Sequence, residues 1–72
     1  MLPMDWKSSL LRAATYQQEA AILEVVLHGG AVYRYFGVPA QTYAELLRAE
    51  SKGSYFNYHV RNRFAYTKIL ST

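Results

Sequence analysis

The stretch Ala20-Ala21-Ile22-Leu23-Glu24-Val25-Val26-Leu27-His28-Gly29-Gly30-Ala31-Val32-Tyr33-Arg34-Tyr35-Phe36 decides the fold. Its first half alternates. Leu23, Val25 and Leu27 share one side and are uniformly apolar, whereas Ile22, Glu24, Val26 and His28 share the other. That period of two predicts a strand over 20–28 with its leucine–valine side toward a core. His28-Gly29-Gly30 then predicts a hairpin, because two-residue turns need positive φ angles that glycine adopts freely. A further strand follows over 31–36, with Tyr33 and Tyr35 on one side and Val32, Arg34 and Phe36 on the other.

Upstream, 8–16 alternates in the same way and predicts a strand, with Leu11, Ala13 and Thr15 on one face. Gln17-Gln18-Glu19 supplies the turn after it. Downstream, Gly37-Val38-Pro39 ends the third strand and starts a helix, since proline suits the first helical position. Tyr43, Leu46, Leu47 and Glu50 recur at helical spacing, so the helix runs over about 39–50 with the first three in a buried stripe. Gly53 is suited to cap its end. Ser54 is then placed to cap a second helix over about 55–63, with Phe56, His59, Val60 and Arg63 on one side. The expectation is an α+β domain: a three-stranded antiparallel sheet followed by two helices packed on one face. The other sheet face needs a partner, solvent or the tail. Residues 1–72 read as one domain, with 1–7 and 67–72 as loose ends; the tail over 64–72 reads as either a short strand or disordered, and Trp6 is placed to cover an open end of the core.

Composition narrows the chemistry. A chain of 72 residues buries only about 60% of its unfolded surface, so oligomerisation is one route to extra stability. There is no cysteine, which excludes disulfides, thiolate catalysis and cysteine-based zinc sites. The opening Met1-Leu2-Pro3-Met4-Asp5-Trp6-Lys7 does not read as a signal peptide. The apolar run over 20–27, broken by Glu24, is far shorter than the ~20 residues of a membrane helix. The expected location is cytoplasmic, with no membrane partner.

His28 and His59 are the only histidines, and two distant imidazoles do not make a metal site. No serine lies in a nucleophile elbow, and Ser51 and Ser54 have a use as helix caps. Gly29-Gly30 lacks the further glycines and lysine of a phosphate loop. No catalytic residue, metal or cofactor is therefore expected.

Charge distribution is more telling than the net charge of +3. From residue 51 onward there are four bases (Lys52, Arg61, Arg63 and Lys68) and no acid, and five of the eleven aromatic residues lie there. Rings stack on unpaired bases and cations contact phosphates. Lys52, Arg61 and Arg63 are candidates for holding phosphates. Gly53 and Ser54 allow close backbone approach at a helix N-terminus. Tyr55 and Tyr58 are candidates for stacking, and so are Tyr33 and Tyr35 if their strand face is open. Asn57 and Asn62 are candidates for bonding base edges or sugars. The competing reading makes Phe56, Val60 and the two strand tyrosines core, with the cations merely solvated.

The same residues carry a resemblance. Ser8-Ser9, Tyr16, Leu23, Val25, Leu27, Gly30, Tyr33-x-Tyr35, Val38-Pro39 and the string Ala49-Glu50-Ser51-Lys52-Gly53-Ser54-Tyr55-Phe56-Asn57, with Arg61 after it, resemble the KTSC domain. That family takes its name from the C-terminal domain of some lysyl-tRNA synthetases and also occurs as stand-alone bacterial proteins. The likeness spans about 6–66. It departs at Thr15, where the family often has glycine, and at Phe64, where it often has tyrosine. The resemblance implies this fold, and the attachment to a tRNA enzyme suggests RNA as partner. The expectation is a small RNA-binding module; the alternative is a protein-interaction or homodimerisation module.

Overall fold

The structure is a computed structural model describing residues 11–70. The expected strand start at residue 8, Ser8-Ser9, Trp6 and the ends 1–7 and 71–72 lie outside the described residues. The elements are β1 Leu11–Gln17, β2 Ile22–Leu27, β3 Val32–Phe36, α1 Ala40–Arg48, α2 Lys52–His59 and β4 Tyr66–Leu70. The sheet is antiparallel throughout, in the order β1-β2-β3-β4.

Among the described residues the sheet therefore has four strands, not three. The fourth occupies most of the stretch expected to be a loose end. Thr67 and Ile69 are β-branched and fit a pleated surface, but all five residues of β4 are exposed. An edge strand with no buried position gives no core-facing alternation, so hydrophobic patterning does not reveal it.

Two rows cross the inner face: Tyr16-Leu23-Tyr35-Tyr66 and Ala14-Val25-Tyr33-Lys68. On β1 strict alternation puts Leu11 with Ala13 and Thr15. A register shift between Leu11 and Ala13 resets the phase, so Leu11 is buried and joins the core. Such a bulge inserts one residue and returns the chain to the other face. Thr15, Glu24, Arg34 and Thr67 align across the outer face, where Arg34 Nη2 lies 3.0 Å from Glu24 Oε1.

The turn between β1 and β2 holds Ala21 at φ 56°, the left-handed region that L-residues seldom occupy. Its carbonyl accepts from the Val38 amide at 2.9 Å, tying this turn to the entrance of α1. The second turn is as expected, with Gly29 and Gly30 both at positive φ.

Both helices pack on the inner face. Tyr43 of α1 stacks on Tyr16 of β1 at 5.1 Å, and the Tyr16 hydroxyl donates to the Val38 carbonyl. Phe56 of α2 meets Tyr35 of β3 edge-on, with centroids 5.5 Å apart. The core is Leu11, Leu23, Val25, Tyr35, Val38, Leu46, Phe56 and Val60. Of the expected α1 stripe, Leu46 is buried and Tyr43 half-buried, but Leu47 is exposed. On α2 the core takes Phe56 and Val60 while His59 and Arg63 stay exposed.

The junction of the helices also differs from expectation. Helix α1 ends at Arg48, and Ser51, not Ser54, is the N-cap of α2. The Ser51 hydroxyl accepts from the Ser54 amide at 3.3 Å. Gly53 thus lies inside the first turn of α2 instead of closing α1. A serine cap outweighs the glycine signal because it satisfies an N–H that a helix start leaves unpaired.

Candidate nucleic-acid interface

The sheet and α2 together make a cleft. Tyr33 and Tyr35 project from β3 and Tyr66 from the opposite position on β4. Their rings converge: Tyr33 to Tyr66 is 5.6 Å, Tyr35 to Tyr66 is 5.4 Å and Tyr33 to Tyr35 is 6.5 Å. Phe56, Leu27, Arg61 and Asn62 complete the lining of a space of about 150 Å³. Tyr35 and Phe56 are 3% and 2% exposed and form its depth, while Tyr66, at 56%, stands at its open side. Burial raises the Tyr35 pKa above 10; the nearby Arg61 cation opposes the shift, and Tyr66 and Tyr33 add to it. Lys68 Nζ lies 5.7 Å from the centre of the Tyr33 ring, within range of a cation–π contact.

Arg61 and Asn62 continue the surface outward. They share a shallow depression with Ser54, Asn57 and Tyr58. Positions 54, 57, 58 and 61 recur at helical spacing, so they lie on one face of α2 and its exit. Tyr58 is 74% exposed, and Arg61 Nη1 donates to Asn57 Oδ1 at 3.2 Å.

The structure thus brings together Tyr33, Tyr35, Arg61, Ser54 and Tyr58. Other candidates point elsewhere. Tyr55 donates to Glu45 Oε1 of α1 at 2.6 Å and stacks on His59 at 4.4 Å. Lys52 Nζ donates to the Ala49 carbonyl at 3.1 Å, a cation at the C-terminus of α1. Gly53 is half-buried in the first turn, and Arg63 is exposed beyond α2. Three lining residues, Leu27, Phe56 and Tyr66, are not among the binding candidates that the sequence offers, whereas Asn62 is. Tyr66 reaches the cleft only through β4, and the periodicity assigns Leu27 and Phe56 to packing. Among the described residues no group of three or more metal-binding side chains comes together, and no helix is long and apolar enough to cross a membrane.

The Tyr55–Glu45 bond carries a pH signature. The Tyr55 pKa is pushed up to about 12, by burial first and then by the Glu45 carboxylate. The Glu45 pKa is lowered, chiefly by the Tyr55 hydroxyl and then by Gln41. A raised phenol pKa means the folded state holds its proton after the unfolded chain has released it. This stabilisation is complete below pH 10 and declines as pH rises toward about 12. The Glu45 contribution is present above its ordinary pKa of 4.5 and is lost on acidification. Tyr55→Phe should therefore flatten the fall in urea midpoint between about pH 10 and 12; an unchanged profile would contradict the bond.

Fold and site define a small α+β domain with an aromatic cleft between its sheet and its second helix. The KTSC domain family model matches residues 7–64, and the chain belongs to that family. It is similar to an uncharacterised protein of Stutzerimonas stutzeri, at 47% identity over 51 residues, covering 71% of this chain and 72% of that one. It is 30% identical to a lysine–tRNA ligase of Nostoc punctiforme over 88% of this chain, a match spanning 11% of the ligase. Among solved structures, a KTSC domain protein from Yersinia pestis superposes with a TM-score of 0.82 at 30% identity, covering 88% of this chain and 89% of that one.

Proposed function

We propose that this domain is a small nucleic-acid-binding module for RNA, using the aromatic cleft and the α2 face joined to it through Arg61 and Asn62. The carrying observation is that junction: rings able to stack on bases lie beside a cation able to meet a phosphate, on one continuous surface. The resemblance to part of a lysine–tRNA ligase supports an RNA partner. The reading now centres on Tyr33, Tyr35, Tyr58, Tyr66, Arg61 and Asn62. Lys52 and Tyr55 serve the helix junction, and Lys68 and Arg63 add positive field.

Titration with a single-stranded RNA oligonucleotide, followed by amide chemical shifts, tests this. Shifts should cluster on Tyr33, Tyr58, Arg61, Asn62 and Tyr66. If about three phosphates are engaged, a fourfold rise in salt should weaken binding roughly twentyfold. An oligonucleotide that leaves those amides unmoved at low salt would overturn the reading.

A second reading, pairing with another protein chain, draws support from β4. It is an edge strand that exposes Tyr66, Ile69 and Leu70, and open strand edges invite pairing. A concentration-dependent dimer in light scattering, with no response to RNA, would favour it.

A further inference from the structure

We propose that the cleft between β3, β4 and α2 accepts a single unpaired pyrimidine base of the RNA, with the adjoining phosphate on Arg61. This rests on the RNA reading and makes its site specific. The walls are rings and one leucine: Tyr33, Tyr35, Tyr66, Phe56 and Leu27. Its polar lining side chains include Arg61 and Asn62, both exposed and therefore at the rim. The tyrosines bring hydroxyls as well as rings, so a ligand for such a space is flat with polar groups on its edge, and anionic outside.

Size narrows the choice. A space of about 150 Å³ matches the cavity volume that holds one benzene ring in another protein. A six-membered pyrimidine enters whole, whereas a purine leaves part of its second ring outside. The Asn62 amide offers both donor and acceptor groups, which suits the mixed edge of uracil or cytosine.

Charge excludes the other common guest of an aromatic cage. Quaternary ammonium groups bind cages of this composition, but Arg61 lines this one and Lys68 lies over Tyr33. Two cations repel a third. They favour a ligand whose ring and negative charge are adjacent. A phosphorylated tyrosine also joins ring and phosphate, but its phosphate is at the far end of the ring. Entering ring-first, it would carry that charge toward the buried Tyr35 and Phe56, away from Arg61 at the rim.

Uridine 5′-monophosphate, uridine, adenosine 5′-monophosphate and phenyl phosphate, titrated separately into the full chain, test the proposal by amide shifts. Uridine 5′-monophosphate should move Tyr33, Tyr35, Asn62 and Tyr66 together and bind more tightly than the other three. Tyr66→Ala should weaken it roughly tenfold, as loss of one stacking partner does. Tyr66 stands on an exposed edge, so the variant should remain folded; Asn62→Ala, outside every helix and strand, gives an independent check by weakening uridine 5′-monophosphate while leaving phenyl phosphate, which has no base edge, unchanged. Equal binding of the two nucleotides, equal binding of phenyl phosphate, or shifts confined to Arg61 would overturn the proposal. If wild type binds an oligouridine and Tyr66→Ala binds it equally well, the pyrimidine cleft fails while RNA binding stands. If wild type binds no RNA, both fail.

Discussion

Phe56→Ala is expected to remove about 3–5 kcal/mol of folding stability, as truncation of a buried aromatic ring does. The ring is 2% exposed and meets Tyr35 edge-on at 5.5 Å. It is the bulkiest side chain that α2 contributes to the core, with Val60 one turn later. For a chain of 72 residues, total stability is roughly 4–11 kcal/mol. The substitution therefore removes a large fraction of it. Urea unfolding followed by far-ultraviolet circular dichroism should show the midpoint falling by about a third or more, with a substantial unfolded population near 37 °C. Phe56→Leu keeps most of the volume and should cost clearly less. A loss below about 1 kcal/mol for the alanine variant would mean that α2 does not anchor on the sheet through this ring.

That same ring explains how far the sequence carried the reading. Periodicity assigned Leu23, Val25, Phe56 and Val60 to packing, and all four are core. The glycine turn after β2 was legible because two consecutive positive φ angles leave few other residues able to serve. What escaped detection depended on tertiary pairing. The tail reads as either a short strand or disordered because β4 buries nothing and carries no inside–outside pattern; pairing with the open edge of β3 decides for the strand. The bulge that turns Leu11 inward is a property of the β1–β2 register, invisible along β1 alone. Two residue types signalled at the helix junction, and the serine cap prevailed over the glycine stop. The site inherits these gaps. Tyr33 and Tyr35 were visible as a pair and Arg61 as a cation, yet the wall opposite them is Tyr66, which only β4 brings there. Periodicity gives Phe56 a packing role only, whereas it packs and also floors the cleft.

Arg61→Glu is expected to weaken binding of single-stranded RNA about 100-fold at low salt. Charge-assisted hydrogen bonds contribute about 1.5–3 kcal/mol each, and reversal adds repulsion to the loss. Arg61 is chosen because it lines both the aromatic cleft and the shallow depression on α2. Its cation also opposes the burial-driven rise at Tyr35. Being exposed beyond the end of α2, it should affect folding stability by no more than about 0.5 kcal/mol. Lost affinity would then reflect the site and not the fold. Removing one phosphate contact should also make the slope of log affinity against log salt shallower by about 1. Arg12→Glu makes the identical charge change at an exposed position of β1, at the other edge of the sheet. If the domain attracted RNA only through its overall positive charge, the two substitutions would cost the same. A local site requires Arg61→Glu to lose far more than Arg12→Glu, with only the former altering the chemical shifts that RNA induces at Tyr33 and Tyr66. Equal losses would leave RNA attraction intact as a property of net charge and remove Arg61 from any defined contact.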